Sequence, residues 1–226
     1  MVKDLGINAL HIDKLAELAI KTGLALEPEQ DLLISAPIES LPLVRRLCVH
    51  AYKAGAGIVT PIFTDPEIVL SRYEYAADNS FDASAKWLFD GMGKAFDNNT
   101  ARLAIVGDDP MLLSEQSPER VARVNKANSL ASKPTRERIT RFDINWNIIS
   151  WPGMSWARRM FPDLPGHEAQ FKLAEAIFSA SRADLENPVE AWREHNITLR
   201  SKSDWLNQHN FKALHFFGPG TDLTVG

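Results

Sequence analysis

Six histidines, one cysteine and a pair of adjacent aspartates are the residues of this chain best suited to chemistry. The histidines are His11, His50, His167, His195, His209 and His215, and a metal centre would need several of them to converge with carboxylates. Their spacing does not favour it. His195 and His209 fall in one helical stretch, but fourteen residues at ~1.5 Å each separate them by roughly 21 Å, too far to share an ion. Asp108 and Asp109 close the apolar run Arg102-Leu103-Ala104-Ile105-Val106-Gly107, the place where an α/β fold presents ligand groups. The simpler reading of this pair is that an aspartate ahead of Pro110 caps the next turn by accepting backbone N–H bonds. Cys48 lies among Leu43, Val44, Leu47 and Val49 and reads as a packing thiol; with one cysteine there is no intrachain disulfide, which suits a reducing compartment.

The familiar catalytic signatures are missing. Gly55-Ala56-Gly57 precedes a strand rather than opening a helix, and no G-x-G-x-x-G, G-x-x-x-x-G-K-[ST], H-E-x-x-H, C-x-x-C or G-x-S-x-G occurs. Arg120, Arg123, Lys126, Lys133, Arg136, Arg138 and Arg141 make a basic stretch opposed only by Glu119 and Glu137. Their spacing fits the wet face of amphipathic helices whose other face carries Val121, Val124 and Ile139, and no aromatic residues interleave to stack bases. The net charge of −4 likewise disfavours a nucleic-acid partner. Trp146, Trp151 and Trp156 read first as core or interface residues. Met1 to Leu10 lacks a signal-peptide pattern and no apolar run approaches eighteen residues, so the expectation is a cytoplasmic protein without a membrane partner.

The elements that must position these residues alternate. Asp13 is expected to cap a first helix that stops near Gly23. Short apolar runs at 31–36, 58–63, 102–107 and 142–151 are expected as strands, with Pro61 marking an edge or a strand end. Helices are expected near 39–54, 66–77, 83–96, 118–131 and 133–140, and three more between Met154 and Asn210. The run Ala213-Leu214-His215-Phe216-Phe217 is expected to finish the sheet. Five strands separated by helices imply right-handed crossovers, hence an α/β fold with a mostly parallel sheet of about five strands covered on both faces. Gly218-Pro219-Gly220 reads as a turn, and Leu223 and Val225 then share one face of a further strand.

Several phrases, in order and spacing, together resemble one family over essentially the whole chain. They are DKLAELAIKTGL (13–24), QDLLISAP (30–37), HAYKAGAGIVTP (50–61), GDDPMLL (107–113), ISWPGMSWARRMFPDLP (149–165), EAWREHN (190–196) and LHFFGPGTDLTVG (214–226). They resemble the amino-terminal half of the thermophilic metallo-aminopeptidases of the aminopeptidase T and aminopeptidase S type. The resemblance implies residues 1–217 as the α/β amino-terminal domain and 218–226 as the start of a connection to a metal-binding domain that would follow. It also implies a peptide-cleaving enzyme, dimeric when complete, with two divalent ions, zinc or cobalt. There, paired metals would polarise the first peptide carbonyl and activate water beside a carboxylate base. The implied ligands all lie beyond this segment, so no catalytic, cofactor-binding or metal-ligating residue is assigned here.

The implied role of these 226 residues is to shape the substrate cleft and the dimer, without activity alone. The competing expectations are a stand-alone α/β module that binds a small ligand at Gly107-Asp108-Asp109-Pro110, and an interaction subunit whose metal half is another chain.

Overall fold

A computed structural model of the chain describes residues 6–226. Met1–Leu5, half of the stretch read above for a leader, lie outside the described residues. Helix α1 (Ala9–Leu18) is capped by Asn8, whose Oδ1 accepts the Leu10 N–H at 2.9 Å. Asp13, the expected cap, instead lies inside the helix, with its carboxylate 3.2 Å from His50 Nε2. The reason is local: Asn8 reaches a free first-turn amide, which Asp13 cannot do from within the second turn. The helix widens into a π-helical turn, Ala19–Leu24, ended by Ala25 in the left-handed region.

Four strands follow, β1 (Leu32–Pro37), β2 (Val59–Thr64), β3 (Ala101–Val106) and β4 (Trp146–Ser150). They form one parallel sheet in the order β2-β1-β3-β4. Pro61 therefore sits on an edge strand, where its missing N–H interrupts no inner ladder. Helix α2 (Leu41–Lys53) joins β1 to β2. The crossover from β2 to β3 carries α3 (Pro66–Tyr75) and α4 (Lys86–Asp97), and α5 (Pro118–Thr140) joins β3 to β4. Right-handed crossovers in opposite directions place α2 on one face and α3, α4 and α5 on the other. α1 and α2 pack together, as do α4 and α5.

The core lies between the sheet and its first face. Leu15, Ile20, Leu32, Ile34, Leu43, Leu47, Leu103 and Trp151 are buried in one cluster, joined by Ala174 and Phe178 of α7 (Gly166–Ser181). β1 is buried along nearly its whole length, as befits an inner parallel strand. Each such side chain contributes ~1.5–3 kcal/mol by leaving water. At the amino ends of the strands a polar network replaces apolar contact. Buried Gln30 donates from Nε2 to Asn145 Oδ1 at 2.7 Å and to the Asn99 carbonyl at 2.8 Å. Asn145 Nδ2 donates onward to the Leu24 carbonyl at 2.9 Å. The approaches to β1, β3 and β4 are thereby tied to the π-helical turn.

Helix α5 runs unbroken through Pro134, where two helices were expected. Ion pairs hold both halves. Arg123 reaches Asp78 and Asp82 at 2.9 and 2.6 Å, and Arg138 donates from Nε and Nη2 to Asp97 at 2.7 and 2.8 Å. Contacts beyond the helix thus override the proline signal.

After α6 (Met154–Met160) and α7, helix α8 (Pro188–His209) leads to β5 (Leu214–Gly218) and β6 (Thr221–Val225). β5 does not complete the parallel sheet. It pairs antiparallel with β6 in a separate hairpin, with Leu214 opposite Val225 and Gly218 opposite Thr221. The physical cause is reach: α8, at ~1.5 Å per residue, carries the chain some 33 Å. It packs against α1 and the π-helical turn. The expected turn is present, with Gly220 at φ +76°, a value that favours glycine. Residues 196–217 and 219–226 are all exposed, Phe217 among the most open at 81%.

Candidate functional site

In the order β2-β1-β3-β4 the crossover after β3 leads to β4 on one side, whereas the opposite crossover, to β2, leaves β1. The carboxyl ends of β1 and β3 therefore flank a crevice, the usual ligand position of open α/β sheets. Three loops meet there. The first follows β1, where buried Ser40 donates from Oγ to the Pro37 carbonyl at 2.7 Å and exposed Glu39 accepts the Met154 N–H at 3.3 Å. The second is Gly107-Asp108-Asp109-Pro110. The third is Trp151-Pro152-Gly153 beyond β4.

The second and third loops touch backbone to backbone. Trp151 N–H donates to the Val106 carbonyl at 2.7 Å, and within the third loop Gly153 N–H donates to the Trp151 carbonyl at 2.9 Å. A Cβ on Gly107 would collide with the Trp151 carbonyl, and one on Gly153 with the Gly107 carbonyl. Only glycine permits this crossing. Buried Gln170 completes it, donating from Nε2 to the Pro152 carbonyl at 2.8 Å.

The two aspartates separate in role. Asp109 Oδ1 accepts the Met111 N–H at 2.9 Å and Arg159 Nε–H at 3.0 Å. The Met111 N–H, and after it Arg159, hold its carboxyl below the ordinary range. That is the turn-capping role the sequence suggested for the pair. Asp108 makes no hydrogen bond among the described residues, and desolvation pushes its carboxyl upward. Glu39 and Asp108 are thus exposed carboxylates on the loops that follow β1 and β3, of a kind that accepts hydrogen bonds. Glu39 had no motif to announce it; Gly107 and Gly153 were visible only as glycines following two strands.

The histidines are dispersed. His11 stands edge-on to Phe178, His195 Nδ1 lies 3.1 Å from Arg182 Nη2, and His209 Nδ1 lies 2.8 Å from the Trp205 carbonyl. His215 pairs with Asp222 across the hairpin at 2.7 Å, and His167 lies 3.9 Å from Glu168. Among the described residues no three His, Cys, Asp or Glu side chains are grouped to hold a metal ion. The described residues therefore do not fit a two-metal centre. Cys48 is half-buried against the core, which pushes its thiol upward. Trp151 is buried in the core, Trp146 stacks on Phe142, and Trp156 lines a groove on the β4 side of the domain. No helix among the described residues is long and apolar enough to cross a membrane.

The fold and crevice define a doubly wound parallel α/β domain carrying an outlying hairpin. Residues 9–226 match the thermophilic metalloprotease (M29) family, and the chain belongs to that family. It is 47% identical over 216 residues to aminopeptidase T of Thermus thermophilus, spanning 96% of this chain and 53% of that protein. Aminopeptidase 2 of Geobacillus stearothermophilus is 36% identical over 215 residues, 95% of this chain and 52% of that protein. The solved structure of wild-type AmpT from Thermus thermophilus superposes with a TM-score of 0.89 at 45% identity, over 96% of this chain and 53% of that one. The chain thus spans about half the length of the curated relatives it matches.

Proposed function

We propose that these residues form the amino-terminal α/β half of a two-metal aminopeptidase that removes amino-terminal residues from peptides. The observation that carries this reading is the 47% identity to aminopeptidase T across nearly the whole chain, covering only 53% of that protein. In this reading the metal ligands, for zinc or cobalt, belong to the half of the relatives that the match leaves uncovered. The α/β half would shape the substrate cleft, with its carboxyl-edge crevice and outlying hairpin turned towards the catalytic half, and would support a homodimer in the cytoplasm. The exposed apolar side chains Leu214, Phe216, Phe217, Leu223 and Val225 suit a surface covered by such a domain.

The test is an assay of the 226-residue chain with zinc or cobalt and leucine p-nitroanilide. No turnover above the metal-only blank is expected. Metal-dependent release of p-nitroaniline by the chain alone would overturn the division of labour.

A further inference from the structure

β4 is an edge strand, and among the described residues no strand pairs with its outer side. Asn145 and Trp151 direct their main-chain groups at β3, through Arg102 N–H to the Asn145 carbonyl at 3.0 Å and Trp151 N–H to the Val106 carbonyl at 2.7 Å. Alternation along a parallel strand then turns the N–H and C=O groups of Ile148 and Ser150 outward. They meet no hydrogen-bonding partner among the described residues. A groove of about 650 Å³ runs beside them. Four consecutive β4 residues, Asn147 to Ser150, line it. Successive strand side chains point to opposite faces, so a groove touching all four must follow the strand's edge.

The opposite wall is formed by the π-helical turn, by Ala176 and Ala180 of α7 and by Trp192 of α8. No Asp, Glu, Lys or Arg lines the groove. Its volume lies within the ~300–1,000 Å³ common to ligand clefts. Free strand-edge amides and carbonyls are satisfied by another main chain in extended form, and an uncharged wall selects uncharged side chains. We propose that this groove binds an extended, uncharged peptide segment as an added strand on β4. The source is a peptide supplied in trans, and for that source the inference rests on the peptide-cleaving function proposed above. The groove would then hold a stretch of the substrate away from the bond that is cut.

The probe is the blocked peptide acetyl-Val-Thr-Val-Thr-Val-amide, titrated into the ¹⁵N-labelled chain. Without a free amino end it is no aminopeptidase substrate, so its failure to bind would leave the hydrolytic reading to its own assay. Saturable shifts are expected at the Ile148 and Ser150 amides. Affinity should fall at least ~10-fold with the charged analogue acetyl-Glu-Thr-Glu-Thr-Glu-amide, and by as much in the Ala176→Glu variant. Ala176 is exposed on α7, so that variant should keep its thermal midpoint, and Ile148→Pro provides a second variant that removes an outward amide. No saturable shift, shifts confined to the hairpin, or equal affinity for the charged peptide would overturn the inference.

Discussion

Replacing Gly153 with alanine tests whether the crossing of the two crevice loops is as close as the geometry requires. The new Cβ would collide with the Gly107 carbonyl, so the loop beyond β4 must move away from the loop beyond β3. That movement strains or breaks the 2.7 Å bond from the N–H of buried Trp151 to the Val106 carbonyl. Losing a buried backbone bond costs ~1 kcal/mol or somewhat more. Overpacking against a backbone that cannot yield adds ~1–3 kcal/mol. The expected loss is therefore ~2–4 kcal/mol. At ~2–4 °C per kcal/mol for a domain of this size, the thermal midpoint should fall by ~5–15 °C.

Scanning calorimetry and urea unfolding would measure the loss, with an unchanged urea slope showing that only stability moved. Gly91→Ala is the matched control. Gly91 lies inside α4 with nothing within 4 Å of an added Cβ, so alanine should stabilise by ~0.5–1 kcal/mol through helix propensity. A Gly153→Ala loss below ~1 kcal/mol, with Gly91→Ala behaving as expected, would refute the close-crossing account.

Two further outcomes follow from polar groups already placed. Gln30→Leu should cost ~2–3 kcal/mol in urea unfolding, because Asn145 and the Asn99 carbonyl lose their shared partner while the site stays buried. Asp109 has a depressed carboxyl in the folded chain, so its stabilisation is present above the ordinary carboxylate range and is lost as pH falls through the folded value. The stability gap between the parent chain and Asp109→Ala, measured by urea unfolding at pH 7 and pH 3, should be widest at pH 7 and shrink in acid.

Much of the sheet was legible because its strands are short apolar runs closed by proline or glycine, as at Ala36-Pro37 and Val106-Gly107. Pro61 also pointed to an edge or a strand end through the donor it lacks, and it lies on an edge strand. The first-helix cap was misplaced because Asp13 and Asn8 are both competent acceptors, and only the helix start decides between them. The run Leu214–Phe217 was recognised as a strand but assigned the wrong neighbour. Period-two alternation reports that a strand exists and is silent about its partner, which here depends on how far α8 carries the chain. Asp109's capping role followed from its place before Pro110. Glu39 could not be found that way, since its link to Met154 spans 115 residues.

Helix α8 joins two regimes within one continuous ladder of hydrogen bonds. Pro188 at its first turn is buried and Trp192 is partly covered, whereas every residue from Asn196 to His209 is exposed. Exchange protection reports the free energy of local opening, and opening is easiest where few buried contacts must be broken. In the chain by itself, α8 should therefore exchange as a gradient, slow near Trp192 and fast towards His209, rather than as a single unit. The sheet can stay closed while the His209 end of the helix opens, because only the Trp192 end is anchored by packing against α1 and the π-helical turn.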